Sequence, residues 1–574
     1  MDTDKGTVNQ TSPSKDEERK LRRKRQRRQF GNVCVEYTQS TSLQGLPFLT
    51  KEGLTMTERT FWLLTIIASL MMCGYLIEDV WTKWQTSPVI VTVSEQLVPV
   101  IQVPLPSITI CPQAKCKLSV YNYSSVVDDY ESGRYSKTPL EERYKWSGIT
   151  LLCPKNMRAG PRTSRRQNST TMKQINEVAL DYRDVFKLCN INDDYADCRE
   201  LFSKVLTASG VCFTMNVLAA EEILHVEKLQ QDFTYLSSTR PSQNWSIERG
   251  YLSGFDSKEV YPIRGLASDT RATVSIKFKQ RLDDHDGLCH GPSPGFQVCG
   301  DKEVHVQHPA EWPQTSLYTQ TINVNEQAVL ALSFSIMNTS EALRSYRPEL
   351  RQCYFPGERQ LKYFKIYTAK NCRAECLANI TLECCKCVPF YLPHNDSDQI
   401  CGVAYKLCTE SAEEKMAQRE ANVDAPDRCK CLESCNSITY DSQLIRTGRY
   451  QDTWNPSLQG NNFYETLPQN LSGVHYSELK VFYKSPQFIS MRRSELFGVT
   501  DFLANCGGLL GLFLGFSFLS LVEIIYFFTL RLCCALRKDL KQQRTNSMEK
   551  NEGHELTEEC LPSVCEKTPN YRID

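Results

Sequence analysis

Residues 502–528 read FLANCGGLLGLFLGFSFLSLVEIIYFF. The stretch is uncharged from Phe502 to Val522, passes Glu523, and continues apolar to Leu530 before Arg531, long enough to span a bilayer with some tilt. Gly507, Gly511 and Gly515 recur every four residues and define one flat helical face on which another helix can approach closely. Asn505, Ser517, Ser520 and Glu523 add polar atoms at membrane depth, where a carboxylate usually faces a water-filled path. The competing reading is a dimerising glycine face with Glu523 at the cytosolic boundary. A second span elsewhere in the chain, together with the glycines and clustered polar groups, favours a pore. One helix cannot enclose water, so a pore requires a ring of identical or related subunits.

The second span lies near the other end. FWLLTIIASLMMCGYLI, between Arg59 and Glu78, makes Thr60 to Ile77 uncharged, and at 1.5 Å per residue it reaches roughly 27 Å. It starts too late for a signal peptide and has no convincing cleavage site. Basic residues flank both spans on the side of the termini: Arg19 to Arg28 before the first, and Arg531, Arg537, Lys538, Lys541 and Arg544 after the second. Both termini are therefore expected in the cytosol. The organisation expected is a cytosolic tail (1–59), a first transmembrane helix (60–78), an extracellular domain (79–501), a second transmembrane helix with pore (502–530) and a cytosolic tail (531–574). The tail segments Thr3–Arg28 and Thr545–Asp574 read as polar and mobile.

The composition agrees. The chain has 574 residues, a formal net charge of zero and 26 cysteines, and a mean hydropathy of −0.41. That is too apolar for a disordered chain and too polar for a many-span transporter, and zero charge gives no bulk pull toward nucleic acid. Nineteen cysteines fall from Cys111 to Cys435, as an oxidising compartment would require. Nineteen is odd, so at least one outer thiol lacks an intrachain partner. Paired thiolates such as Cys385-x-Cys387 or Cys429-x-Cys431 raise a zinc reading, but the spacing is not the usual C-x2-C and the segment is extracellular, so disulfides are expected. Acceptor patterns for N-glycosylation occur at Asn122, Asn168, Asn244, Asn338, Asn379, Asn395 and Asn470, all in the outer segment.

Between the spans, Val89–Val93, Val98–Val103, Ile108–Ile110 and Ala328–Met337 read as strands, and Glu177–Leu188, Tyr363–Ala378 and Ser411–Ala421 as helices. Asp283-Asp284-His285-Asp286 reads as a solvated acidic turn; catalysis has little support, and a proton or divalent-ion sensor is the better functional alternative, since stacked carboxylates raise one another's pKa. Arg162-Thr-Ser-Arg165-Arg166 is either a surface loop or a processing site. No enzyme activity, metal or cofactor is expected.

Several motifs, in order, carry a family resemblance. Ser42-Leu43-Gln44-Gly45 resembles a cytosolic His-Gly gating motif. Leu105-Pro106-Ser107-Ile108-Thr109-Ile110-Cys111 is similar to the start of an ectodomain. Gly210 to Asn216 matches a G-x-C-[YF]-T-x-N strand, and Pro294 to Val298 with His308-Pro309 another signature. Tyr367, Cys372, Cys376, Cys385, Cys387, Cys401, Cys429, Cys431 and Cys435 resemble a cysteine-rich thumb, to which Cys353, Cys384 and Cys408 also belong by position. Gly507-Gly508 with Gly515-Phe516-Ser517 resembles a pore helix with a G-x-S selectivity motif. From about Ser40 to Leu530 the chain resembles the degenerin/epithelial sodium channel family, most of all its insect pickpocket subfamily.

The resemblance implies an α+β membrane protein: a trimeric, mainly sodium-conducting, ligand- or stimulus-gated channel with a hand-like ectodomain of palm, β-ball, finger, knuckle and thumb. By position, Gly515, Phe516 and Ser517 would form the filter, Ala504 the site where bulky side chains hold relatives open, and Gly45 the glycine tied to open probability. Gly511 and Glu523 would line the pore and gate. Sodium would be the permeant ion, and the partners a bilayer and two copies or related subunits. The chain departs from the family at Gln44 (typically His), at Asn505 (commonly Asp), which puts calcium block in question, and at Phe516 (often small). A non-conducting accessory subunit or two-span receptor is the alternative.

Overall fold

The computed structural model describes residues 15–548 except 87–88, 154–165, 168–169, 192–193, 231–239, 257–258, 266–267, 269–273, 291–294, 300–305, 314–318, 423–424, 426–427, 450–473 and 497. Arg162 to Arg165, Asn168 and Asn470 lie outside the described residues. The chain divides into Met1–Pro88 with Leu496–Asp574, and Val89–Glu495. The helices used below are α1 (Lys15–Ser40), α2 (Met56–Thr86), α3 (Ala369–Cys385), α4 (Lys406–Ala421), α5 (Val499–Leu514), α6 (Phe518–Ile525) and α7 (Leu532–Met548).

In the Val89–Glu495 unit the strands are β1 (Val89–Pro99), β2 (Ile108–Pro112), β3 (Phe186–Ile191), β4 (Asp194–Ala196), β5 (Phe202–Thr207), β6 (Gly210–Met215), β7 (Val274–Arg281), β8 (Gly295–Cys299), β9 (Thr319–Asn323), β10 (Glu326–Thr339), β11 (Ser437–Arg449), β12 (Val474–Tyr483) and β13 (Gln487–Glu495). The larger sheet runs β1-β13-β10-β12-β7-β3-β4 with β11 also paired to β10, and the smaller runs β9-β8-β2-β6-β5. β10 is the axis of the larger sheet: it pairs antiparallel with β11 along its length and parallel with β12 and then β13. Period-2 burial shows why β7 lies on a core, since Val274, Ile276 and Phe278 are fully buried while Ser275, Lys277 and Lys279 are not. Leu330, Leu332, Leu479, Val481, Phe202 and Phe213 complete that core.

A second core surrounds α3 and α4, where several of the buried residues are half-cystines. Eight disulfides are present among the described residues: Cys111–Cys212, Cys153–Cys289, Cys189–Cys198, Cys353–Cys435, Cys372–Cys431, Cys376–Cys429, Cys385–Cys408 and Cys387–Cys401. No thiolate pair is left at Cys385-x-Cys387 or Cys429-x-Cys431 to bind zinc. Cys384 stands outside the ladder as a free, exposed thiol, and Cys116 is free and buried.

Several sequence expectations need correction. Val89–Val93 and Val98 belong to one strand, β1, whose register against β13 shifts between Val93 and Leu97, and 100–102 is a short 3-10 turn. Glu177–Leu188 is not one helix: Val178 ends a helix, Tyr182–Val185 is a single turn, and the chain enters β3 at Phe186. Val178, Tyr182, Val185 and Phe186 recur at helical spacing, but pairing with β7 decides the outcome. The helix expected from Tyr363 starts at Ala369, because Thr368 caps it by accepting from Asn371 N–H. Residues 15–28, expected in a mobile tail, lie in α1, whose Lys, Arg, Glu and Gln are good helix formers.

Candidate functional site

In the unit formed by Met1–Pro88 and Leu496–Asp574, the apolar run after Phe502 is not one helix. α5 stops at Leu514, Gly515 adopts φ +64°, and α6 begins at Phe518. Gly515 N–H donates to Gly511 C=O (2.9 Å), the single bond that ends a helix on a left-handed glycine, and Phe516 N–H reaches back to Leu510 C=O (3.2 Å). Ser517 then opens the next helix: its Oγ accepts from Ser520 N–H (3.2 Å) while its N–H donates to Ser520 Oγ (3.1 Å). Gly515 therefore leaves the helical face expected to join it to Gly507 and Gly511. A Cβ on Gly507 or Gly508 would meet nothing within 4 Å, and one on Gly511 would meet only Phe516 O at 3.8 Å, so this face is open to another helix.

The loop between α1 and α2 docks across that break. Gln44 N–H donates to Leu514 C=O (3.1 Å), and the Gln44 side chain covers Gly515 so closely that a Cβ there would lie 2.9 Å from Gln44 Cγ. Glu523 Oε2 accepts from both Ser42 N–H (3.1 Å) and Ser42 Oγ–H (3.0 Å), and Ser42 Oγ lies 2.8 Å from the buried Ser520 Oγ. Gly45 takes φ +90°, with Ile66 3.2 Å from where a Cβ would be. A side chain at Gly45 would be strained and would press on α2. Beside it Phe48 stacks on Trp62 with ring centroids 4.4 Å apart.

Further contacts hold the ends of this assembly. Arg531 grips the Glu36 carboxylate with two nitrogens, the shorter contact 2.6 Å, and Tyr37 of α1 packs its ring against Phe527 and Phe528. Toward the other end Phe502 of α5 stacks on Trp84 of α2 at 5.0 Å. Ala504 and Asn505 are exposed on α5, and the Asn505 amide donates to Asp501 C=O (2.8 Å). α2 and the segment Phe518–Lys538 are each long and apolar enough to cross a membrane.

Chemically, the break does two things that a continuous span does not. The last carbonyls of a helix lack intrahelical donors; those of Gly511 and Leu514 are taken by Gly515 and Gln44 N–H, and the turn through Phe516 and Ser517 adds backbone and hydroxyl oxygens within a few residues. It also links α6 to a loop more than 470 residues away in sequence, through Ser42 and Glu523. Sequence reasoning named Gln44, Gly45, Gly515, Ser517 and Glu523 but missed their convergence, and missed the pairing of Ser42 with Ser520. The S-x-x-S spacing from Ser517 to Ser520 is a local cap signal; Glu36 with Arg531 had none.

The other candidate residues lie in the Val89–Glu495 unit. The acidic cluster is dispersed rather than stacked. Asp283 is held below the usual carboxylate range by its hydrogen bond to Arg281, Asp284 accepts from Ser119, and buried Asp286 accepts from Ser124, Leu288 and Cys289. These carboxylates pin loops, so the sensor reading falls. Among the acceptor asparagines, Asn122, Asn338 and Asn379 are exposed, whereas Asn244 and Asn395 are half-buried, the first donating to Glu259 C=O and the second accepting from Ser397 and Asp398. Among the described residues no group of three or more metal-binding side chains occurs.

The profile of the family described as "Amiloride-sensitive sodium channel" matches residues 37–527. The chain is 27% identical to Pickpocket protein 28 of Drosophila melanogaster over 536 residues, covering 90% of this chain and 81% of that protein. It is 22% identical to Sodium channel protein Nach of Drosophila melanogaster over 541 residues, 90% and 89% of the two chains. Similarity reaches vertebrates: Acid-sensing ion channel 4 of Rattus norvegicus is 21% identical over 503 residues, 85% and 78% of the two.

Proposed function

Because the chain belongs to the amiloride-sensitive sodium channel family, whose members are ion channels rather than enzymes, we propose that it is one subunit of a trimeric, ligand- or stimulus-gated channel that conducts mainly sodium. The observation that carries this reading is the docking of residues 42–45 across the helix break at Gly515–Ser517. Three such breaks around an axis bring backbone and hydroxyl oxygens of Gly515, Phe516 and Ser517 into a ring, where they replace part of the water shell of a sodium ion. Ala504, Asn505, Gly507, Gly508 and Gly511 line the outer pore and the helix contact, and Gln44, Gly45 and Glu523 form the cytosolic gate support. Gating is a movement of the pore helices driven from the ectodomain, with a sensory role.

On this reading the protein sits in the plasma membrane with both termini cytosolic. Residues 60–78 and 502–530 cross the bilayer, and 79–501 form the extracellular palm, β-ball, finger, knuckle and disulfide-braced thumb. Asn122, Asn168, Asn244, Asn338, Asn379, Asn395 and Asn470 are the sugar acceptors. Partners are copies of this chain or related subunits. The test is whole-cell recording of the chain expressed alone with Ala504→Val. A constitutive sodium current supports the reading; no current despite surface expression favours a non-conducting accessory subunit.

A further inference from the structure

A cavity of about 390 Å³ opens in the Val89–Glu495 unit beside the N-terminus of α3, between that helix, β10, β11 and Trp245. Its floor holds His308, only 8% exposed. The ring Nδ1 accepts from Ala310 N–H (3.1 Å), which fixes the proton of the neutral imidazole on Nε2. Among the described residues that donor has no hydrogen-bond partner, and the ring that carries it lines the cavity.

The walls carry the charged side chains Glu248, Glu311, Lys370, Arg373 and Glu433. Glu311 pairs with Lys370 (3.3 Å) and accepts from His308 N–H (3.0 Å). Among the described residues Arg373 on α3 and Glu433 make no ion pair, although both line the cavity and Arg373 is the nearby cation that Glu433 feels most strongly. They stand as neighbours with a gap between them. The first turn of α3, through Ala369 and Lys370, adds the positive end of a 17-residue helix, and Trp245, Ile336 and Tyr440 supply apolar wall.

We propose that this cavity binds a small amphoteric molecule of the amino-acid class, its carboxylate held by His308 Nε2–H and Arg373 and its ammonium by Glu433, with an apolar side chain against Trp245. The volume sits at the low end of the range for ligand pockets, which suits a single amino acid and excludes a peptide of several residues. A lone cation would leave His308 and Arg373 unpaired, and a lone anion would face Glu433. The site is independent of the pore assignment.

The test is ligand-induced thermal stabilisation of the purified full-length protein in detergent with L-leucine and L-phenylalanine, compared with 4-methylpentanoate, which lacks the ammonium, and 3-methylbutylamine, which lacks the carboxylate. We expect a saturable rise in Tm with at least one amino acid, single-charge analogues at least tenfold weaker, and at least a tenfold loss of affinity in Arg373→Gln and in Glu433→Gln. Both residues have exposed surface, so both variants are expected to fold, which the Tm without ligand checks. Asn338, at the rim, is an acceptor asparagine, and Asn338→Gln is measured in parallel so that a sugar covering the mouth is distinguished from the lack of a site. No stabilisation in either the wild type or Asn338→Gln overturns the proposal, as do single-charge analogues that bind equally well or an affinity unmoved by both substitutions.

Discussion

At the scale of single residues, Ser42 and Glu523 are coupled through one oxygen. Glu523 Oε2 satisfies both the main-chain and the hydroxyl donor of Ser42. Ser42→Ala removes the hydroxyl's contacts with Glu523 and Ser520 but keeps the main-chain bond, and Glu523→Leu removes both bonds to the carboxylate; at this exposed site each bond lost costs about 0.5–1.5 kcal/mol. Because the two residues share the interaction, the double variant loses less than the sum of the singles. Thermal midpoints of the full-length protein check this; additive losses would show that the loop is held elsewhere. His308 offers a pH-dependent counterpart. Burial, helped by Lys370 and opposed by Glu311, pushes its imidazole down to about 4 from 6.5. The unfolded chain therefore binds more protons between pH 6.5 and 4, so stability falls as pH drops through that window and levels off below it, by on the order of 3 kcal/mol in all. His308→Gln should flatten that part of a Tm-against-pH profile, and an unchanged slope would contradict it.

At the scale of elements, the disulfide ladder on α3 is redundant by design. Cys372–Cys431 and Cys376–Cys429 close chain separations of 59 and 53 residues. With either bond in place the other adds a loop of only about six residues, worth about 2 kcal/mol, while losing both opens the long loop and costs about 6 kcal/mol. Denaturant midpoints for each pair replaced by serine, and for both, should therefore be strongly non-additive; equal and additive losses would mean that the bonds act separately. The ladder also shows how much was legible in sequence. Cysteine density marked this region, but the pairing and the exclusion of Cys384 depend on which helix faces α3 and α4 present. The segment 502–530 failed in the opposite direction. Its apolar length read as one helix, and the stop at Gly515 was hidden because a glycine every four residues satisfies a helical face and a left-handed cap equally well. The left-handed φ of +64° at Gly515 and the Gln44 side chain lying on it show which was chosen.

At the scale of the whole molecule, two uncharged runs and the partition of cysteines were enough to read two helical segments of membrane-spanning length and a disulfide-crosslinked stretch between them in sequence, because each rests on composition over tens of residues. The site was less legible because it joins residues 42–45 with 514–523, and no local pattern records such a contact. Its function follows from that junction: if the Gly515–Ser517 break is the filter, its shape depends on Gly515 having no side chain beneath Gln44. The decisive measurement is the reversal potential under sodium and potassium gradients in cells expressing Ala504→Val with and without Gly515→Ala. A left-handed φ of +64° and a Cβ 2.9 Å from Gln44 both oppose the alanine. We predict that sodium preference collapses, with the reversal potential moving toward that of a non-selective cation pore while surface expression persists; a sodium-selective reversal potential unchanged by Gly515→Ala would contradict the account.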